Sequence, residues 1–176
     1  MSILSNQIAR MMDARDAGGA RFGAAAAADH ALAIERVWER RADALVVRGT
    51  AESGAQHLAA AAACCWKRGR EVGVANLELP ESELEFQPMR SLGQFGPETR
   101  WPFDTRDVLL DGLGLELYDP APVAAFLAAR FPVATVRRPH LATFIWTPLD
   151  WPALADRYGA DTIWRLQQAA AEIVLP

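Results

Sequence analysis

Two apolar stripes at helical spacing, separated by Arg48-Gly49-Thr50, constrain this chain more than any other feature. In the first, Ile34, Val37/Trp38, Ala42 and Leu45 recur every three or four residues, while Glu35, Arg36, Glu39, Arg40 and Asp43 cover the other faces. In the second, Leu58, Ala62, Cys65 and Trp66 mark the buried side of a helix that ends near Arg70. Lys67, Arg68 and Arg70 fall in its last turn, where the helix dipole favours cations. Ser53 followed by Gln56 reads as a capping box at its start. The abundance of alanine, the strongest helix former, supports both helices. The pattern predicts an antiparallel helical hairpin over 24–70, preceded by a short helix over Ile3 to Arg15.

Beyond it the period changes. Val74, Leu77 and Leu79, then Leu84 and Phe86, alternate with polar residues around Pro80-Glu81-Ser82, as strand–turn–strand does. Gln87 to Asp104 reads as a long loop holding Phe95, Trp101 and Phe103; long loops without structure are often functional. Thr105 to Leu110 reads as a helical turn, Leu113 to Leu117 as a strand, and Asp119-Pro120 as a helix start. Val133 to Val136 and Leu141 to Thr147 read as two strands hinged at Arg138-Pro139. Two helices close the chain, one from about Trp151 to Tyr158 and one from an Asp161 cap to about Ile173. The expected fold class is therefore α+β and helix-rich: an N-terminal helical hairpin plus a small antiparallel sheet with C-terminal helices. A boundary near residue 72 divides a helical lobe (1–72) from a mixed lobe (73–176), the two closely packed enough to pass as one domain.

The apolar runs Ala24 to Ala28 and Ala59 to Trp66 fall short of the roughly 20 residues that span a bilayer. Met1 to Asp16 lacks the apolar core of an export signal, and the two cysteines are helix neighbours, so a reduced cytoplasm is expected. Residues 1–75 hold ten Arg/Lys against eight Asp/Glu, and 76–176 hold eight against fourteen. A net charge of −4 gives little counterion-release affinity for nucleic acid, so the partner expected is a protein or peptide.

No catalytic, metal or phosphate motif stands out. His57 and Cys64 lie seven residues apart on one helix, roughly 10 Å along its axis, too far for a thiolate–imidazole pair. His30, His57 and His140 have no metal-ligand spacing, and no metal or cofactor is expected. Glu78, Glu81, Glu83 and Glu85 read as the solvent side of strands. The richer groups are Arg100, Trp101 and Arg106 in the long loop, residue types that anchor interfaces, and Arg137-Arg138, a small cationic turn suited to a carboxylate or phosphate. Thr143 marks the strand where an added peptide strand is expected to pair.

The run Leu154-Ala155-x-x-Tyr158-Gly159 followed by Thr162-Ile163-x-Arg165 resembles the start of bacterial winged-helix regulators. Its turn is about two residues shorter, and Arg165 is the would-be recognition helix's only basic residue, whereas groove readers use several. With the two strands expected ahead of it, 133–173 is similar in element order to the small winged-helix modules that recognise leader peptides in bacterial peptide-modifying pathways. That resemblance is one of architecture and carries over no functional residues. It implies peptide or protein binding by strand addition at a sheet edge.

The function expected is that of a non-catalytic partner subunit of a heteromeric complex, an adaptor, peptide-recognition or immunity/inhibitor protein that docks by its surface and an edge strand. The alternative is a small cytoplasmic enzyme whose site gathers Arg100, Asp104 and Arg106 of the 95–107 loop with His140. The second alternative is a helix-turn-helix DNA-binding protein.

Overall fold

The computed structural model describes residues 30, 33–37, 39–66, 72–76, 86–88, 107–117, 119–132 and 141–176; for 64–66, 72–76 and 86–88 the description is of the backbone. In chain order the elements are β1 (Ala44–Arg48), α1 (Ala55–Trp66), β2 (Val72–Asn76), β3 (Phe86–Pro88), β4 (Asp107–Asp111), α2 (Ala121–Arg130), β5 (Thr143–Thr147), α3 (Trp151–Tyr158), α4 (Ala160–Ala169) and β6 (Ala170–Val174). Residues 33–37 add a helical turn before β1.

The strands form a six-stranded sheet in the order β3-β2-β4-β5-β1-β6. Every neighbouring pair from β2 to β6 is parallel; only β3, at one edge, runs antiparallel to β2. Three of the four inner strands, β1, β4 and β5, read Ala44-Leu45-Val46-Val47, Val108-Leu109-Leu110 and Phe144-Ile145-Trp146, all buried. Such runs are apolar at every position because helices cover both faces of a parallel sheet.

On one face α1 packs over β1, β5 and β4, burying Leu58, Ala59 and Ala62 against Leu45, Val47, Leu109, Phe144 and Trp146. On the other, α2, α3 and α4 bury Phe126, Leu127, Leu154, Ile163 and Leu166 against Ala44, Val46, Val108, Leu110 and Ile145. The connection through α1 moves along the sheet from β1 to β2; those through α2 and through α3–α4 move the opposite way. Opposite directions on opposite faces give one crossover hand throughout, as parallel units require.

This doubly wound α/β arrangement corrects the expected fold class. The antiparallel sheet is a mainly parallel one. The helical hairpin over 24–70 is interrupted by β1: Leu45 and Val47 are strand residues, and Ala44 to Arg48 pairs with β5 on one side and β6 on the other. Because β1 precedes residue 72 and its partners follow it, the sheet is shared across that position. The expected helical turn over Thr105 to Leu110 is strand from Asp107 onward, and the last helix ends at Ala169, where the chain becomes β6. The antiparallel pairing of β2 with β3 does follow the alternation read there.

Aspartates stand at the starts of two of the three helices on the second face; the third, α4, starts at Gly159 with no side-chain cap, and Asp161, expected as its cap, lies within its first turn. Asp119 Oδ1 accepts from the Ala121 amide at 2.9 Å, ahead of α2. Asp150 Oδ1 accepts from the Ala153 amide at 2.9 Å at the start of α3, which has proline in its first turn.

Candidate functional site

All the parallel strands end on the same side of the sheet. The connection leaving β1 crosses one face and that leaving the adjacent β5 crosses the other, so the chain parts between Arg48 and Thr147. In open α/β sheets this switch point is where ligands bind.

The loop leaving β1 there is Gly49-Thr50-Ala51-Glu52-Ser53-Gly54, and α1 begins with Ala55-Gln56. Gly49 has φ +150, and a Cβ on it would meet Ser53 Oγ at 2.7 Å and the Leu175 carbonyl at 2.9 Å, so only glycine fits. The Ser53 amide donates to the Thr50 carbonyl and the Gly54 amide to that of Ala51, each at 3.2 Å; the Ser53 hydroxyl donates to the Thr50 carbonyl at 2.8 Å. Gly54, at φ +86, then turns the chain into the helix, its carbonyl accepting from Leu58 N–H. The expected capping box does not form, because both of its side chains are engaged elsewhere.

Gln56 reaches across the sheet. Its Nε2 donates to both oxygens of Asp111, the last residue of β4, at 3.1 and 3.2 Å. One strand, β5, lies between β1 and β4, so this contact braces the first turn of α1 over an intervening strand. The floor beneath is closed by backbone and indole: Gly49 N–H donates to the Thr147 carbonyl at 3.1 Å, and Trp146 Nε1 to the Gly49 carbonyl at 2.9 Å. Thr147, fully buried, donates its hydroxyl to the Leu113 carbonyl at 2.6 Å, drawing in the turn that follows Asp111. Beside the loop, Arg48 pairs with Glu172 of β6 and lies 5.9 Å over the Trp151 ring.

Next to this floor is a buried polar cluster. Glu116 Oε1 accepts from Arg157 Nε at 2.9 Å and from the Tyr158 hydroxyl, while Oε2 accepts from Gly114 N–H at 3.0 Å. Burial, then the Glu116 hydrogen bond, push the Tyr158 phenol well above its usual value; the same carboxylate raises Arg157. At the opposite end of the strands, Arg130 Nε donates to Thr143 Oγ1 at 2.9 Å and Asp107 Oδ1 accepts from Ala142 N–H at 2.8 Å, a buried fastening of α2 to β4 and β5.

Strand, Gly-x-x-x-x-Gly, helix is the layout of the phosphate-binding loop, with an acid at the end of a neighbouring strand to hold the metal. In that loop a lysine and a serine or threonine follow the second glycine; here Ala55, fully buried, and Gln56 stand there. Gly49, Gly54 and Asp111 were missed as a set because the two residues that give the motif its specificity are the two replaced. The signal left in the sequence was the glycine spacing after an apolar run, with Asp111 closing a second such run.

Of the expected site residues, Arg100, Trp101, Arg106, Arg137 and Arg138 lie outside the described residues, as do Asp104 and His140 of the enzyme alternative. Thr143 is described and fully buried. Its strand is bonded to β1 on one side and β4 on the other, so it offers no edge to an added peptide strand. The edge strand on that side of the sheet is β6, where Val174 is 55% exposed, and Trp164 of the preceding helix is 59% exposed. Among the described residues no three His, Cys, Asp or Glu side chains group to hold a metal, and no helix is long and apolar enough to cross a membrane.

No family model matches the chain, and no curated protein matches it. The fold by itself defines the class: a doubly wound α/β protein with its loop site at the topological switch point.

Proposed function

We propose that this protein is a non-hydrolysing partner subunit, a phosphate-loop type of α/β scaffold that docks on another protein and turns over no nucleotide. The observation that carries the reading is the Gln56–Asp111 contact beside the Gly49–Gly54 loop. Nucleoside-triphosphate chemistry on such a loop depends on a lysine and a metal ion to neutralise the charge that develops on the transferred phosphoryl group. Here the loop carries the acidic Glu52, Ala55 brings no charge, and Gln56 brings an amide. The residues present do not fit a bound metal–nucleotide complex.

Docking by surface rather than by a side-chain motif fits the same picture. The edge-strand mode expected from the sequence belongs to β6, whose exposed Val174 and the exposed Trp164 of α4 are the apolar side chains on offer. The partner is read as a protein or peptide in the cytoplasm, on the charge balance and the adjacent cysteines.

Calorimetric titration with Mg·ATP and a phosphate-release assay test the first half: no binding tighter than about 1 mM is expected, and no turnover. Turnover that Asp111→Asn abolishes would sink the reading. Affinity capture from native lysate with the parent and with Val174→Asp tests the second half. A partner retained equally by both would place the docking surface away from β6.

A further inference from the structure

Resting on the reading of the β1–α1 loop as a phosphate-loop layout, we propose that the Gln56 side chain occupies the divalent-cation position of that layout and makes the site cation-free by construction. In a phosphate loop the hydroxyl at the second helical position and the acid ending the neighbouring strand together hold a metal ion. Gln56 holds that helical position, and its longer side chain crosses to Asp111 directly. One NH2 group lies 3.1 and 3.2 Å from the two carboxylate oxygens, donating to both. An amide nitrogen is a donor without a lone pair to offer a metal, so while it donates to both carboxylate oxygens it excludes the ion from that side.

Two neighbouring features point the same way. Ala55, where the lysine would stand, is fully buried in the α1 core, and its Cβ would lie 3.1 Å from a Cβ at position 49. The loop also carries Glu52. The lysine of the ordinary site is thus missing from this loop, and the place beside the acid is taken by the Gln56 amide.

The test uses Mn2+ alone, followed by electron paramagnetic resonance, on the full chain. The parent is expected to show no saturable Mn2+ binding that depends on Asp111. Gln56→Glu keeps the side-chain length and replaces the donor with a second carboxylate. It is expected to bind one Mn2+ at least ten-fold more tightly than the parent, to melt higher when Mn2+ is present, and to lose both effects when Asp111→Asn is added. Gln56→Ser, which withdraws the amide donor from the carboxylate without adding charge, keeps the test open if the glutamate variant fails to fold. It is expected to gain weaker, Asp111-dependent Mn2+ binding. Parent protein that binds Mn2+ through Asp111, or a folded Gln56→Ser protein that gains none, overturns the proposal. Since no nucleotide is used, these results separate from those of the turnover assay. Hydrolysis by the parent would remove the non-hydrolysing reading, while Mn2+ binding by the parent would remove this one.

Discussion

Glu116 is a carboxylate with no exposed side-chain surface, and three donors converge on it: the Gly114 amide, Arg157 and the Tyr158 hydroxyl. Tyr158 illustrates what that does to a neighbour. Its phenol is neutral, buried and donating to a carboxylate, and each condition opposes loss of its proton, so the folded-state value lies far above the ordinary one. A proton held more tightly by the folded state than by the unfolded chain stabilises fully below the unfolded value of about 10. That contribution falls as pH rises from there towards the folded value. The parent should therefore lose stability from about pH 10 upward, and Tyr158→Phe should flatten that part of the curve at a neutral-pH cost of about 1 kcal/mol for the lost hydrogen bond. Urea unfolding across the alkaline range reads both effects. Parallel curves for parent and variant would mean that neither burial nor Glu116 holds the phenol's proton.

At the scale of elements, β5 separates the two ways this chain can be read. Taken as an outer strand of a small antiparallel sheet, it would accept a proline at Thr143 with modest loss. As the strand between β1 and β4, it cannot: Thr143 N–H donates to the Asp43 carbonyl at 3.0 Å, and its hydroxyl accepts from buried Arg130. Thr143→Pro should destabilise by about 3 kcal/mol or more, since it removes a ladder donor in a central strand. An unchanged melting midpoint would restore the edge-strand view. The misreading has a physical source. Leu45 sits at a helical interval from Ile34, eleven residues on, and a strand buried on both faces shows no alternation, so the four apolar residues Ala44 to Val47 carry no period of their own. Local chemistry was readable in part: Asp119-Pro120 starts a helix, another runs from Trp151 to Tyr158, and the alternation around Val74 and Phe86 marks two paired strands, whereas neither the Ser53–Gln56 box nor the Asp161 cap forms. The candidate site was the least readable part. Its geometry joins Gln56 to Asp111, 55 residues apart, through strand order rather than spacing.

For the whole molecule, the strand order places two hydrophobic cores back to back on one sheet. Phe144 anchors the core beneath α1 and Phe126 the core beneath α2–α4, both fully buried and on opposite faces of the strands. The two cores share strands but no side chains, because successive residues such as Phe144 and Ile145 point to opposite faces. Each phenylalanine truncated to alanine should cost about 3–5 kcal/mol, the transfer energy of the ring plus that of the cavity left behind. With the sheet between them, the two costs should add to within about 0.5 kcal/mol in the double variant, provided it still folds. If it does not, the milder pair Phe144→Leu and Phe126→Leu carries the same comparison. The sheet that isolates the side chains also unites the unfolding, since neither face can lose its strands without exposing the other. Denaturation of either single variant should therefore remain one transition, the same by fluorescence and by far-ultraviolet circular dichroism. Two separated transitions, or a coupling well beyond the additive limit, would mean that the cores are not divided by a common parallel sheet, and the doubly wound architecture would fail with them.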